Sequence, residues 1–151
     1  MGWYSKVTND ITEIPNAIQY FESELATARF ETQIKGSIEK AAAMMPGIVE
    51  QRFNQLQELE AILEYLNIEL RKLRSSFFRK YLENYQRALS SRDCEKYVDG
   101  ETAVCDYEQL INEFALLRNK WLGVLKGLDS KGFSINNIIR LRVAGLDDAA
   151  I

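Results

Sequence analysis

The chain has 151 residues, of which 46% are hydrophobic and 27% charged, and its formal net charge is −3. Its eight glycines and two prolines are too few for a disordered or loop-rich protein, so we expect one helical domain over residues 1–151. The sequence has no histidine, the usual general base, and two cysteines cannot fill the tetrahedral shell of zinc. We therefore expect a protein that is not an enzyme and that carries no metal or cofactor.

Membrane attachment is not indicated by the sequence. The longest apolar stretch, from Ala41 to Val49, is too short to span a bilayer and is interrupted by Pro46-Gly47. Lys6 stands where a myristoylation signal requires Ser or Thr. These patterns predict a soluble intracellular protein with no membrane partner, in which Cys94 and Cys105 are more readily two free thiols than a disulfide.

The first helical pattern begins after Pro15 and continues to Met45. Pro46-Gly47 should then break or sharply bend the path, because the residue before proline avoids the helical region. The sequence therefore predicts an N-terminal helix region over 1–46 and a second, long helix over 47–92. The apolar residues that recur at helical spacing in the first region are Ile18, Phe21, Leu25, Ala28, Phe30, Ile34, Ile38, Ala41 and Met45.

A heptad seam runs along the second predicted helix, with apolar residues in alternating steps of three and four. Such a narrow stripe is typical of long antiparallel or coiled-coil helices that pack against a partner helix. A core helix in a compact bundle is the alternative interpretation. The seam consists of Leu56, Leu59, Leu63, Leu66, Leu70, Leu73 and Phe77.

A basic segment between Arg71 and Arg92 carries seven Lys/Arg against one carboxylate, Glu83. Its local charge is +6, so the rest of the chain sums to −9. Concentrated positive charge usually meets phosphate or carboxylate groups. On a helix, four of these cations fall within an arc of about 100° that faces away from the seam, while the tyrosines fall nearer the apolar side. The predicted nucleic-acid-binding residues are Lys72, Arg79, Lys80, Arg87 and Arg92, and Tyr81 and Tyr85 are candidates either for base stacking or for packing.

The helical pattern is interrupted between residues 94 and 106. Tyr97 and Val98, the turn pair Asp99-Gly100 and then Val104 predict a short hairpin or an irregular loop near 95–105.

A final helical region is predicted over 106–145, with Asp106 as its N-cap. Ser130-Lys131-Gly132 predicts a turn that separates a small C-terminal helix from the preceding one. The apolar residues of the region are Leu110, Phe114, Leu117, Trp121, Val124 and Leu128, followed by Ile135, Ile138, Ile139 and Leu141.

Three segments carry a resemblance to a known family. They are Lys131-Gly132-Phe133-Ser134-Ile135-Asn136-Asn137-Ile138 with its continuation to Arg142, Trp121-Leu122-Gly123-Val124-Leu125, and Arg79-Lys80-Tyr81-Leu82-Glu83-Asn84-Tyr85. In this order and spacing they resemble the UvsY family, the recombination mediator proteins of T-even-type phages. The third segment is similar to that family's Lys-Ala-Arg-Leu motif, with Tyr81 where the motif has its second basic residue.

The resemblance implies a ring-shaped homo-oligomer that binds single-stranded DNA in the cytoplasm of the infected bacterial host. Such a protein helps a phage recombinase to displace the single-strand-binding protein, in homologous recombination, repair and recombination-dependent replication, without consuming a nucleotide. The resemblance places the DNA-binding role on Arg79 and Lys80. It also implies that the C-terminal region packs between subunits, with Phe133, Ile135, Ile138 and Arg142 at the oligomer interface.

A structural coiled-coil adaptor is the alternative function. In that case the same basic residues contact acidic surfaces of protein partners, and DNA has no role. Binding of a labelled oligonucleotide at low salt distinguishes the two hypotheses.

Overall fold

The structure is a computed structural model that describes residues 2–84 and 89–145. Within these residues it contains five α-helices and no strand, so the predicted mainly α fold is confirmed. No helix in this part of the chain is long and apolar enough to cross a membrane. The elements are α1 (Trp3–Asn9), a single 3₁₀ turn (Ile11–Glu13), α2 (Ile14–Glu31), α3 (Ile38–Asn84), α4 (Ser91–Asp99) and α5 (Thr102–Val143).

Two compact units make up the chain, and each combines segments that are distant in sequence. The first unit comprises Met1–Glu13 and Glu58–Leu116, and the second comprises Ile14–Gln57 and Leu117–Ile151. Helices α3 and α5 therefore contribute to both units.

In the first unit, α3 and α5 run antiparallel. Arg74 of α3 bonds to Glu108 of α5, and Tyr81, later in α3, bonds to Glu101 immediately before α5. The short helix α1 is held at its N-terminus by α3, because the backbone N–H groups of Trp3 and Tyr4 both donate to the Glu58 carboxylate. A carboxylate at this position satisfies amide donors that a helix leaves free and complements its dipole.

In the second unit, α2 packs its apolar stripe against α5. The fully buried rings of Phe21 and Trp121 meet edge to face, with their centroids 6.4 Å apart. A second cluster joins Ile38 and Ala41 of α3 to Ile135 of α5. Aromatic and aliphatic burial of this size dominates the stability of a small unit.

The heptad seam of α3 lies largely in the core of the chain itself. Leu56, Leu59, Leu63 and Leu66 are buried, whereas the last three positions of the seam are half-buried. The structure thus matches the compact-bundle interpretation of this pattern for its first four positions.

The predicted break at Pro46-Gly47 is wrong, because α3 continues through both residues. The chain turns earlier, between α2 and α3, where Gly36 adopts a φ of 72° that favours glycine. Pro46 removes one backbone donor and leaves the carbonyl of Ala42 without its helical partner. Pro46 is exposed, so water can replace that hydrogen bond. The predicted boundaries 1–46 and 47–92 are accordingly replaced by those of α2 and α3.

The predicted hairpin or loop near 95–105 is also wrong, because this stretch forms α4 and the start of α5. Ser90 caps α4 by accepting a hydrogen bond from the N–H of Asp93 at 3.2 Å, and Cys94 and Val98 form its buried face. Those two residues are four apart, so they lie on the same face of the helix. Helix α5 begins at Thr102, so Asp106 is not an N-cap.

No turn interrupts the C-terminal region at Ser130-Lys131-Gly132, contrary to the sequence prediction. Helix α5 continues through these residues to Val143, so there is no separate C-terminal helix in the described residues. The buried positions Leu128, Lys131 and Ile135 keep the steps of three and four of the preceding stripe. This continuous packing outweighs the cost of about 1 kcal/mol for a glycine within a helix.

Candidate nucleic-acid interface

The C-terminal third of α3 carries an open groove on its solvent side, here called the basic groove. Its volume is about 600 Å³. Three of the predicted DNA-binding residues, Lys72, Arg79 and Lys80, lie along it and are exposed. With a rise of about 1.5 Å per residue, Lys72 and Arg79 are separated by about 10 Å along the helix. The complete lining is Arg71, Lys72, Ser75, Ser76, Arg79, Lys80, Glu83 and Asn84.

Carboxylates neutralise the N-terminal part of the basic segment. Arg71 pairs with Glu64 at 3.3 Å, and Lys72 pairs with Glu69 at 3.2 Å. Both cations are strongly exposed, with about 70% of each side chain accessible, so these pairs are weak and a phosphate can displace them.

Arg74 is held more firmly and faces away from the basic groove. Its guanidinium donates to Asp99 at 2.6 Å and to Glu108 at 3.4 Å, and its side chain is 33% exposed. Arg74 therefore joins α3 to α4 and α5 and is not available for a ligand. Sequence spacing could not show this, since the two carboxylates lie far along the chain.

Arg79 and Lys80 provide the free positive charge of the basic groove. Neither makes an ion pair in the part of the chain that the structure describes, and Lys80 Nζ lies 5.9 Å from the centroid of the Phe77 ring. Ser75 and Ser76 add hydroxyl donors on the same face. Guanidinium, ammonium and hydroxyl donors are the groups that proteins use to contact phosphate oxygens.

Tyr81 is directed towards α4 instead of standing free as a stacking surface. Its hydroxyl donates to Glu101, and its ring stacks on that of Tyr97 with 5.3 Å between centroids and 26° between planes. This arrangement matches the packing interpretation of Tyr81. Tyr97 is 46% exposed, so this aromatic pair still reaches the surface.

Of the remaining predicted DNA-binding residues, Arg92 does not line the basic groove. Arg92 lies in the first turn of α4 and is exposed. Arg87 and Tyr85 lie outside the described residues.

The four predicted interface residues at the C-terminus divide between core and surface. Ile135 is 2% exposed and packs on α3 of its own chain, so its assignment to a surface between subunits is corrected. Ile138 is half-buried beside the same cluster, and Arg142 is exposed. Phe133 is 71% exposed and borders an open groove of about 430 Å³.

A buried polar cluster around Arg52 was not anticipated from the sequence. Arg52 is 2% exposed and its guanidinium donates to Glu24 and Glu31, each at 2.6 Å, and to Gln55 at 2.8 Å. Hydrogen bonds from Gln55 and Arg52 lower the pKa of Glu24, against the opposing effect of burial. The sequence did contain a signal, because Arg52 stands one step before the first leucine of the seam, at a position where an apolar residue is expected.

Among the described residues, no group of three His, Cys, Asp or Glu side chains could hold a metal ion. Cys94 and Cys105 are free thiols, and Cys105 Sγ lies 3.3 Å from the carbonyl oxygen of Asp99. The basic groove presents positive charge and hydrogen-bond donors along one helix, and these groups can bind an anionic chain.

In comparisons with known proteins, no family model, no curated protein and no solved structure matches this chain.

Proposed function

We propose that this protein is a non-enzymatic, single-stranded DNA-binding recombination mediator. The observation that carries the proposal is the basic groove of α3, where Arg79 and Lys80 stand exposed beside two serine hydroxyls and make no ion pair with any residue that the structure describes. Such a surface contacts phosphates without reading base sequence. It therefore fits a protein that must coat DNA of any sequence.

Weak binding by one subunit favours an oligomer as the active form. Four phosphate contacts on a single strand give a salt slope of about −3, which corresponds to a roughly fifty-fold loss of affinity between 50 and 200 mM salt. Repetition of the groove around a ring makes every later contact intramolecular and raises the overall affinity. A homo-oligomer, in the proposed form of a ring, thus compensates for a small site.

The recombination role rests on the resemblance to the UvsY family. In this proposal the protein helps a phage recombinase to replace the single-strand-binding protein on DNA, in homologous recombination, repair and replication. The site of action is the cytoplasm of the infected bacterial host. No nucleotide or metal cofactor is needed by the mediator itself.

We expect the double substitution Arg79→Ala/Lys80→Ala to weaken binding of a fluorescein-labelled oligothymidylate at least about ten-fold at 50 mM salt. The slope of log affinity against log salt should become shallower by about 1.4, because two phosphate contacts are lost. Fluorescence anisotropy between 50 and 300 mM salt measures both quantities.

A charge-matched control is Lys120→Ala/Lys126→Ala, which removes two exposed lysines from α5. The control should keep the wild-type slope. Equal behaviour of the two double variants would show that net charge, and not the basic groove, governs binding. An oligomeric wild-type protein that binds no oligonucleotide at low salt would favour the adaptor hypothesis instead.

We expect Phe133→Asp to reduce the mass of the assembly, because this side chain is 71% exposed and borders an apolar groove. Light scattering coupled to size exclusion measures the change. A truncation at Lys131 is a poorer test, since it also removes Ile135 from the core. Leu116→Asp is the control, because Leu116 is 57% exposed on the same helix. An unchanged mass for Phe133→Asp would exclude Phe133 from the interface.

A further inference from the structure

A second cationic pocket lies in the other unit, between the end of α2, the start of α3 and α5. This Phe30 pocket has a volume of about 380 Å³. Its rim carries Lys35 and Lys40, both exposed, and Phe30, which is 67% exposed. Its complete lining is Phe30, Glu31, Gln33, Lys35, Gly36, Ser37, Lys40, Ala41, Met44, Ile48 and Lys131.

Lys131 places a buried positive charge in the Phe30 pocket.

 Lys131 is 8% exposed, and its Nζ donates to the carbonyl oxygen of Glu31 at 2.7 Å. No carboxylate lies within ion-pair distance of it among the described residues. The carboxylate of Glu31 is itself bonded to Arg52 Nε at 2.6 Å. Since a buried charge is costly unless it is paired, this pocket is suited to an anionic ligand.

The exposed ring of Phe30 adds a second recognition element to the Phe30 pocket. Lys35 Nζ lies 5.9 Å from the centroid of this ring, so one ligand can contact the ring and the ammonium together. Ala41, Met44 and Ile48 supply apolar lining. A flat aromatic surface beside positive charge is the combination by which proteins hold the bases and phosphates of single strands.

We infer that the Phe30 pocket is a second contact for single-stranded DNA and takes one nucleotide unit, with the base on Phe30 and the phosphate among Lys35, Lys40 and Lys131. This inference rests on the proposed function and extends it to a surface of which only Lys131 belongs to the segments that carry the resemblance. The volume is at the small end for ligand pockets, which suits one nucleotide better than an extended acidic peptide.

The first test is oligothymidylate binding at 50 mM salt, measured by anisotropy on the full chain. Phe30→Ala should weaken binding about ten-fold through loss of one stacked base, whereas Phe30→Tyr should bind as the wild type does. Lys35→Ala/Lys40→Ala should make the salt slope shallower by about 1.4. Wild-type affinity in both Phe30→Ala and this double lysine variant would overturn the inference.

Lys131→Met tests the buried charge at nearly constant side-chain volume. We expect about five-fold weaker binding at 50 mM salt from the loss of one phosphate contact. Thermal unfolding checks that this variant is folded. If it is not folded, the exposed pair Lys35 and Lys40 still decides the question.

A direct readout separates the Phe30 pocket from the basic groove. Phe30→Trp is made in the Arg79→Ala/Lys80→Ala background, and its emission is followed during titration with oligothymidylate, against the same background with Phe30 retained. We expect quenching that is specific to the new tryptophan. Absence of this quenching would overturn only the inference that the Phe30 pocket binds DNA. Unaltered DNA binding by Arg79→Ala/Lys80→Ala would overturn only the assignment of DNA binding to the basic groove.

Polyglutamate at the same charge concentration is the competing ligand in this titration. Weak or no quenching by polyglutamate supports a nucleotide site. Quenching as strong as that by oligothymidylate would assign the Phe30 pocket to an acidic peptide and overturn the inference.

Discussion

Arg52→Ala should destabilise the protein by about 3 kcal/mol. The substitution leaves Glu24 and Glu31 without the guanidinium that bonds to both of them at 2.6 Å. Removal of one partner from a buried ion pair typically costs 3–5 kcal/mol. The two carboxylate side chains are 30% and 22% exposed, so water can partly solvate them and the lower end of that range applies.

Urea unfolding followed by circular dichroism measures this effect. Arg71→Ala is the matched control, because Arg71 forms an exposed pair with Glu64 and its loss should change stability by less than about 0.5 kcal/mol. A cost below about 1 kcal/mol for Arg52→Ala would contradict the assigned role of the cluster.

The hydrogen bonds that Gln55 and Arg52 donate to Glu24 make the stability of the protein depend on pH. The pKa of Glu24 is lowered in the folded state, first by the hydrogen bond from Gln55 and then by that from Arg52. Its contribution to stability is therefore present above about 4.5, the ordinary pKa of glutamate, and is lost as the pH falls through the lower, folded value. Arg52→Ala should accordingly lose less stability than the wild type between pH 6 and pH 3.

Trp121→Ala should destabilise the protein by about 4 kcal/mol. Trp121 is fully buried, its ring meets that of Phe21 edge to face, and the Arg52 guanidinium carbon lies 5.8 Å from its centroid. Truncation of a buried tryptophan to alanine typically costs 3–5 kcal/mol, through lost transfer free energy and the cavity left behind.

Trp121→Phe keeps an aromatic ring at this position but removes the indole nitrogen. The indole Nε1 is buried and has no hydrogen-bond partner among the described residues, so phenylalanine removes an unsatisfied donor as well as volume. We expect a cost of about 1 kcal/mol, measured by the same urea unfolding. Leu122→Ala, at a neighbouring position that is 37% exposed, is the control for changes in helix propensity. A similar loss for Trp121→Ala and Leu122→Ala would contradict the central role of Trp121.

Apolar spacing was sufficient to predict the helical fold but not where each helix ends. Gly132 and Pro46 are strong turn signals in isolation, yet both lie inside long helices. In each case tertiary packing on the opposite helix face outweighs a local cost, which is about 1 kcal/mol for glycine and about 3 kcal/mol for proline. The spacing of Cys94 and Val98 fits one face of a helix and one face of a strand equally, so it could not outweigh the turn pair Asp99-Gly100 in the sequence prediction.

The candidate site was predicted in part, because exposure along one helix follows from helical geometry. Lys72, Arg79 and Lys80 do line one groove, as the helical wheel indicated. Which cations stay free could not be predicted, since the carboxylates that bind Arg74 come from α4 and α5. Ion pairs between distant segments depend on the fold and not on local spacing.

Charged residues at apolar stripe positions were the signal that sequence reasoning passed over. Arg52 extends the seam of α3, and Lys131 stands between Leu128 and Ile135 in the stripe of α5. Each is buried, and each makes a polar contact with residue Glu31. A cation in such a position predicts an internal polar site even when its partner cannot be named from the sequence.

The division of the chain into two discontinuous units limits how its functions can be separated genetically. The basic groove belongs to the first unit, while the Phe30 pocket belongs to the second, and both units draw on α3 and α5. A contiguous gene fragment therefore cannot encode one unit without part of the other. Single-residue substitutions are therefore the appropriate means to assign a task to each surface.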